Sequence, residues 1–143
     1  MNRTRWLVLD PGLLAALLEP DHPRHGELEE LAADGRFRLA ASAWSWAELM
    51  EASPARDWPR LLRESRVLTR AVDVAVLDEA AGLMRTYARP LREAVLVATA
   101  LRLEAEAVVT GDPGLRAGWP QPPVGLRLSD PVDFLGPRQV RFL

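Results

Sequence analysis

The sequence predicts an α/β domain built on a parallel sheet covered on both faces by helices. Three observations carry this: short apolar runs alternate with longer segments of helical spacing, the runs are bounded by turn residues, and there is no internal repeat. With 143 residues the chain suits one domain, 1–143, and can bury roughly 70% of its unfolded surface. A three-layer α/β/α sandwich with four or five strands is the expected architecture.

Trp6–Asp10 reads as a short buried strand. Pro11–Leu18 follows as a helix, with Asp10 as its N-cap and Pro11 at its first position, where the missing N–H costs nothing. Asp21–Pro23 is a turn. Gly26–Ala33 places Leu28, Leu31 and Ala32 on one helical face until Gly35 ends it. Phe37–Ala40 is a second strand. Ser42 caps a helix through Trp44, Ala47, Glu48 and Met50, which Pro54 interrupts, and Trp58–Arg63 forms another. Val67–Thr69 reads as an edge strand. Asp73–Tyr87 has amphipathic spacing in Val76, Leu77, Ala80, Leu83 and Met84. Pro90 opens Leu91–Leu103, whose Val95, Ala98, Thr99 and Leu101 suit a buried position. Ala107–Thr110 is the clearest late strand, and Gly111-Asp112-Pro113-Gly114 reads as a turn. Gly118–Gly125 is a Pro- and Gly-rich loop within the domain, and Leu126–Leu128 adds a last strand.

Composition narrows the function. Hydrophobic residues make up 48% and charged residues 27%, a globular balance. There is no cysteine, which removes disulfides, thiol catalysis and cysteine-held metals. All 18 basic residues are arginine, and there is no isoleucine, a bias that suggests a GC-rich genome. Without lysine the chain cannot form a P-loop or a Schiff base. The same absence counts against a receiver-like phospho-acceptor role for Asp10, and no Gly-x-Gly-x-x-Gly turn follows the first strand to bind a dinucleotide. A net charge of −2 argues against a broad basic face for nucleic acid but leaves room for a local patch. Arg3 and Arg5 before Trp6–Leu9 faintly imitate a signal peptide, but Asp10-Pro11-Gly12 breaks the run and no cleavage site follows. No stretch approaches the ~18 apolar residues of a spanning helix, so a cytoplasmic location without membrane contact is expected.

Four carboxylates stand out. Asp10 and Asp112 follow apolar strands, and in an open parallel sheet the ligand crevice lies at the strands' carboxyl ends. Glu48 and Glu93 sit in largely apolar helical segments, where a lone charge is costly to bury. Each has an ordinary reading beside this one: Asp10 as a cap, Glu48 as a solvated helix residue, Glu93 as a helix amino-terminal acid and Asp112 as a turn residue. Brought into one crevice, they would repel each other and invite a divalent cation.

The order of elements and acids resembles the PIN domain, the metal-dependent ribonuclease fold of VapC-type toxins in toxin–antitoxin pairs. The likeness rests on the strand entering Asp10, on Ala47-Glu48-Leu49 after Ser42, on Glu93-Ala94-Val95-Leu96-Val97-Ala98-Thr99-Ala100 and on Val108-Val109-Thr110-Gly111-Asp112, and it covers nearly the whole chain. It implies that Asp10, Glu48, Glu93 and Asp112 hold one or two Mg²⁺ or Mn²⁺ ions and serve catalysis. Thr110 would support them from behind, and the substrate would be an RNA phosphodiester. It also implies a small antitoxin protein as partner and a homodimer. Two positions depart from the family pattern: Glu93 where Asp is usual, and Pro11 where Thr or Ser follows the first acid. These departures favour the alternative, a catalytically impaired PIN-like module that binds RNA or a protein partner.

Other residues have plainer readings. His22 and His25 fit turn and helix-start positions, and Arg56, Arg60 and Arg63 a solvated stripe or an RNA-facing one. Of Arg85, Arg89 and Arg92, one is expected either to aid a phosphate or to pair locally with Glu93. Trp44 and Trp46 point to opposite sides of one helix.

Overall fold

Five short runs form strands, and in β1, β2 and β4 alternate residues bury on opposite faces. They are β1 (Trp6–Leu9), β2 (Arg38–Ser42), β3 (Leu68–Arg70), β4 (Ala107–Val109) and β5 (Arg127–Ser129). The computed structural model describes residues 4–136; Arg3 and the tail beyond Gly136 lie outside them. All pairings among the described strands are parallel, in the order β3-β2-β1-β4-β5, with Val8 opposite both Ala40 and Val108.

The helices are α1 (Pro11–Leu18), α2 (His25–Ala33), α3 (Ala43–Ala52), α4 (Trp58–Glu64), α5 (Val74–Tyr87), α6 (Leu91–Arg102) and α7 (Pro113–Ala117). Leu7, Leu9, Leu39, Ala41, Ala107 and Val109 point to one face, where they meet Leu14 of α1, Leu28 of α2 and Trp46 of α3. Val8, Ala40 and Val108 point to the other, against Val76 and Ala80 of α5 and Val95 of α6. The period of two in the strands thus divides the core into two layers, and the sandwich is three-layered as predicted.

Three local differences matter for the site. The Gly-Asp-Pro-Gly segment is not a plain turn: Asp112 caps α7, with Pro113 at the first helical position. The second strand starts after Phe37 and reaches Ser42; Phe37 instead packs edge-on against Phe134, ring centroids 5.6 Å apart. A 3-10 turn at Pro131–Phe134 carries that partner and had no periodic signal in so short a segment. Among the described residues no helix is long and apolar enough to cross a membrane.

Candidate active site

Every strand delivers a capping side chain at its carboxyl end. In spatial order these are Asp73 after β3, Ser42 closing β2, Asp10 after β1, Asp112 after β4 and Asp130 after β5. Each side chain accepts from a backbone N–H of the helix or turn that follows: Val76 N to Asp73 at 3.0 Å, Trp44 N to Ser42 at 3.1 Å, Leu13 N to Asp10 at 2.8 Å, Gly114 N to Asp112 at 2.8 Å and Val132 N to Asp130 at 3.0 Å. The chemistry is local, because a first-turn N–H has no helical partner and a short polar side chain supplies one. Three of these caps are written as Asp-Pro, at residues 10–11, 112–113 and 130–131.

At the centre of the row, Asp10, Glu48, Glu93 and Asp112 line a single pocket with Ser42, Trp44 and Arg92. The four acids of the sequence reading therefore border one space, but they are not equivalent. Asp10 is 7% exposed. The Thr110 hydroxyl donates to its second oxygen and accepts from Asp112 N at 3.0 Å, so one threonine ties the two aspartates together. Asp112 itself is exposed and keeps one oxygen clear of the cap. Glu48 reaches the pocket from α3, half-buried.

Glu93, at 8% exposure, faces its own neighbours. Arg89 grips it with both arms of its guanidinium, Nε to Oε1 and Nη2 to Oε2, each at 2.9 Å. The Trp119 indole adds an N–H at 3.0 Å to Oε1. Local pairing with an arginine, one of the two readings of the sequence, falls to Arg89. Arg92 lines the pocket instead. Among the described residues no three histidine, cysteine, aspartate or glutamate side chains stand together closely enough to hold a metal ion as they are. The donors suit a hard cation in kind, being carboxylate oxygens, and Glu93, with three N–H partners, retains the least uncommitted acceptor capacity of the four acids.

Electrostatics separate the central acids from the rest. Burial pushes the Asp10 carboxyl above its ordinary range and the Asp112 charge adds to this, while the Thr110 and Leu13 hydrogen bonds and Arg92 oppose it. Burial also raises Glu48, with Glu51 and Asp10 adding and Arg92 opposing. An acid held up by burial and like charge is a carboxylate short of positive charge.

One arginine that sequence reasoning did not anticipate flanks this centre. Arg24 bonds both oxygens of Asp130, Nη1 at 2.9 Å and Nη2 at 2.6 Å, and also Glu27 at 2.7 Å. It crosses over Gly111, where a Cβ would come within 2.8 Å of its Nη1. The only hint in the sequence is the third Asp-Pro pair; the 106-residue separation hides the partner. His22 Nδ1 accepts from Arg24 N at 3.0 Å and His25 Nδ1 meets Ala16 O at 2.9 Å, so both histidines do the turn and helix-start work expected of them. Trp46 is buried against Trp58, ring centroids 6.3 Å apart, while Trp44 opens onto the pocket. Arg56 pairs with Glu19 at 2.9 Å and Arg60 with Asp57 at 3.5 Å; Arg63 is exposed.

No family model matches the chain, and no curated protein matches it significantly. Solved structures do. A toxin–antitoxin complex from Klebsiella pneumoniae superposes with a TM-score of 0.64 at 18% identity, over 84% of this chain and 94% of that one. FitAcB from Neisseria gonorrhoeae gives 0.62 at 19%, over 88% and 98%. VapC20 of Mycobacterium tuberculosis, described as a sarcin–ricin loop cleaving toxin, gives 0.58 at 21%, over 78% and 93%. The fold is PIN-like. Identity at this level speaks for the backbone, and the PIN-like fold fixes where the crevice lies; what the crevice does must come from its own side chains.

Proposed function

We propose that this PIN-like chain is a metal-dependent endoribonuclease of the VapC toxin type. The observation that supports it is the central pocket: Asp10, Glu48 and Asp112 border one crevice at the carboxyl edge, and the first two are raised by burial with no ion-paired arginine among the described residues. Asp10, Glu48 and Asp112 would hold Mg²⁺ or Mn²⁺, with Glu93 beside them. A bound ion of this kind supplies an activated water and neutralises charge at the phosphate. The chain's own residues do the rest. Through one hydroxyl, Thr110 fixes the Asp10 carboxylate and the backbone of Asp112. Arg92, whose charge reaches both Asp10 and Glu48, orients a phosphate at the pocket mouth. Trp44 offers a ring edge to a nucleobase.

The same proposal takes an antitoxin as partner, as in the toxin–antitoxin structures that share the fold. Val74, Leu77 and Met84 form an exposed stripe on α5, and Leu68 of edge strand β3 is exposed as well, which fits a homodimer contact in a cytoplasmic protein. The test is RNA cleavage with Mg²⁺ or Mn²⁺ by the wild type and by Asp10→Asn. Cleavage that needs the ion and is lost in the variant supports the proposal; equal cleavage by both sinks it.

A second reading, a PIN-like module that binds without cutting, is favoured by one observation. Arg89 occupies Glu93, and Arg92 already brings a positive charge to Asp10 and Glu48. Metal binding without cleavage would select it.

A further inference from the structure

The carboxylate of Glu93 is the meeting point of three chain segments. Helix α5 ends at Ala88, a non-glycine residue in the left-handed region (φ 53°, ψ 45°), and this reversal turns Arg89 back towards α6. Glu93 lies in the first turn of α6 and receives the Arg89 fork. Trp119, 2% exposed and packed at a tilt on Tyr87 with ring centroids 4.8 Å apart, brings the segment after α7 onto the same carboxylate. Gly118 completes the fit: a Cβ there would stand 2.7 Å from Arg89 Cζ and Nη2, so the guanidinium passes through the space a side chain would need.

We propose that Glu93 anchors an Arg89–Glu93–Trp119 clamp instead of ligating the metal, and that Arg89 is a positioning residue which, through this clamp, seats α7 and so aims Asp112 into the pocket. This deepens the metal reading above and rests on it. Three N–H groups fill three of the roughly four acceptor positions of one carboxylate. Bringing a dication to the same group would place it against the Arg89 charge. Helix α7 has only five residues; its amino end is Asp112, its Leu115 lines the pocket, and its far end is held by Gly118 and Trp119. A five-residue helix has little stability of its own, so whatever holds its end sets where its cap points. The extra methylene of glutamate, compared with aspartate, lets the carboxylate span from α6 to both donors.

The experiment follows the Trp119 indole N–H by ¹⁵N NMR, assigned with Trp119→Phe, during a Mg²⁺ titration. The amides of Leu13 and Gly114, which donate to Asp10 and Asp112, are expected to move with added Mg²⁺ while the Trp119 indole stays in place. Glu93→Gln and Arg89→Lys should each displace the indole resonance. Arg89→Lys, which cannot fork, should also weaken Mg²⁺ binding about tenfold through Asp112, the size of loss usual for groups that orient metal ligands. An indole resonance that tracks the same Mg²⁺ saturation curve as Gly114 would overturn the clamp, because Glu93 would then be turning to the ion. So would an Arg89→Lys variant with unchanged indole and unchanged affinity. If Leu13 and Gly114 ignore Mg²⁺ altogether, the metal reading fails on its own. The clamp is then judged by Glu93→Gln, and an unmoved indole resonance rejects it.

Discussion

The centre and the flanks of the carboxyl edge are built from the same device and charged in opposite ways. Asp73, Asp10 and Asp130 each follow a strand and each cap the next turn. On the flanks the carboxylate also meets an arginine: Arg70 at 3.1 Å from Asp73, and Arg24 at 2.6 Å from Asp130. Those two acids sit below their ordinary range, Asp73 chiefly through the Val76 backbone N–H and Asp130 chiefly through Arg24. Among the described residues Asp10 has no such ion-paired partner; it is the most deeply buried of the three and sits above its range. A cap satisfies a helix end; only an added cation satisfies the buried charge. The difference teaches that the site is defined less by having acids than by leaving the central ones with only the more distant Arg92 charge and, among the described residues, no arginine in direct contact.

The largest expected effect breaks the centre. Asp10→Asn keeps the Leu13 cap and the size of the side chain but removes the charge, and RNA cleavage should fall by about a hundredfold or more, as misplacement of a reacting group alone can cost that much. Residual activity near the wild-type level would remove the distinction between centre and flank. Next comes the flank: Arg24→Leu leaves Asp130 and Glu27 without their shared partner. It should lower stability by about 1.5–3 kcal/mol, the usual worth of hydrogen bonds to charged groups, read as a fall in thermal midpoint. A smaller change of opposite sign is expected from Asp10→Asn without added metal, a rise of about 2–4 °C at neutral pH, since the variant no longer buries an unpaired charge. A fall in its midpoint would mean that the carboxylate is better compensated than its surroundings indicate.

The smallest effect is in pH dependence, and its sign differs between the two regions. Asp10 is raised in the folded state, so its contribution is most favourable below the unfolded carboxyl value and is lost as pH climbs through the folded one. Asp130 is lowered, so its contribution is present above the unfolded value and is lost as pH falls through the folded one. Asp34, held at about 2 by the Arg36 guanidinium, behaves like Asp130 at the opposite end of the sheet. Midpoints of Asp10→Asn minus wild type should therefore widen with rising pH and then level off, while those of Asp130→Asn minus wild type should turn more negative. Parallel curves would contradict the contrast.

Most of the fold was legible because it is carried by local signals. Pro11–Leu18 was predicted to the residue, because a capping Asp, a helix-starting Pro and an apolar run all coincide. The shift of β2, one residue at its start and two at its end, and the short α7 escaped because each is decided by partners distant in sequence: Phe134 draws Phe37 out of the strand, and Glu93 bonds Trp119 just past the end of α7. In the site, position was readable and commitment was not. All four acids reach one pocket, yet nothing adjacent to Glu93 in sequence reveals that Trp119, 26 residues on, shares its carboxylate with Arg89. Arg24 and Asp130 are a starker case, because two ordinary surface-type residues become a bridge only when β5 closes the sheet beside β4.

One measurement reaches the central claim directly: paramagnetic broadening of backbone amides by substoichiometric Mn²⁺. The four reporters are the amides that cap onto the acids in question. Leu13 and Gly114 should disappear first, while Val76 and Val132, beside the arginine-paired Asp73 and Asp130, should persist. Broadening that begins at Val76 or Val132, or that spreads evenly over all four, would show that the unpaired centre is not what draws the cation.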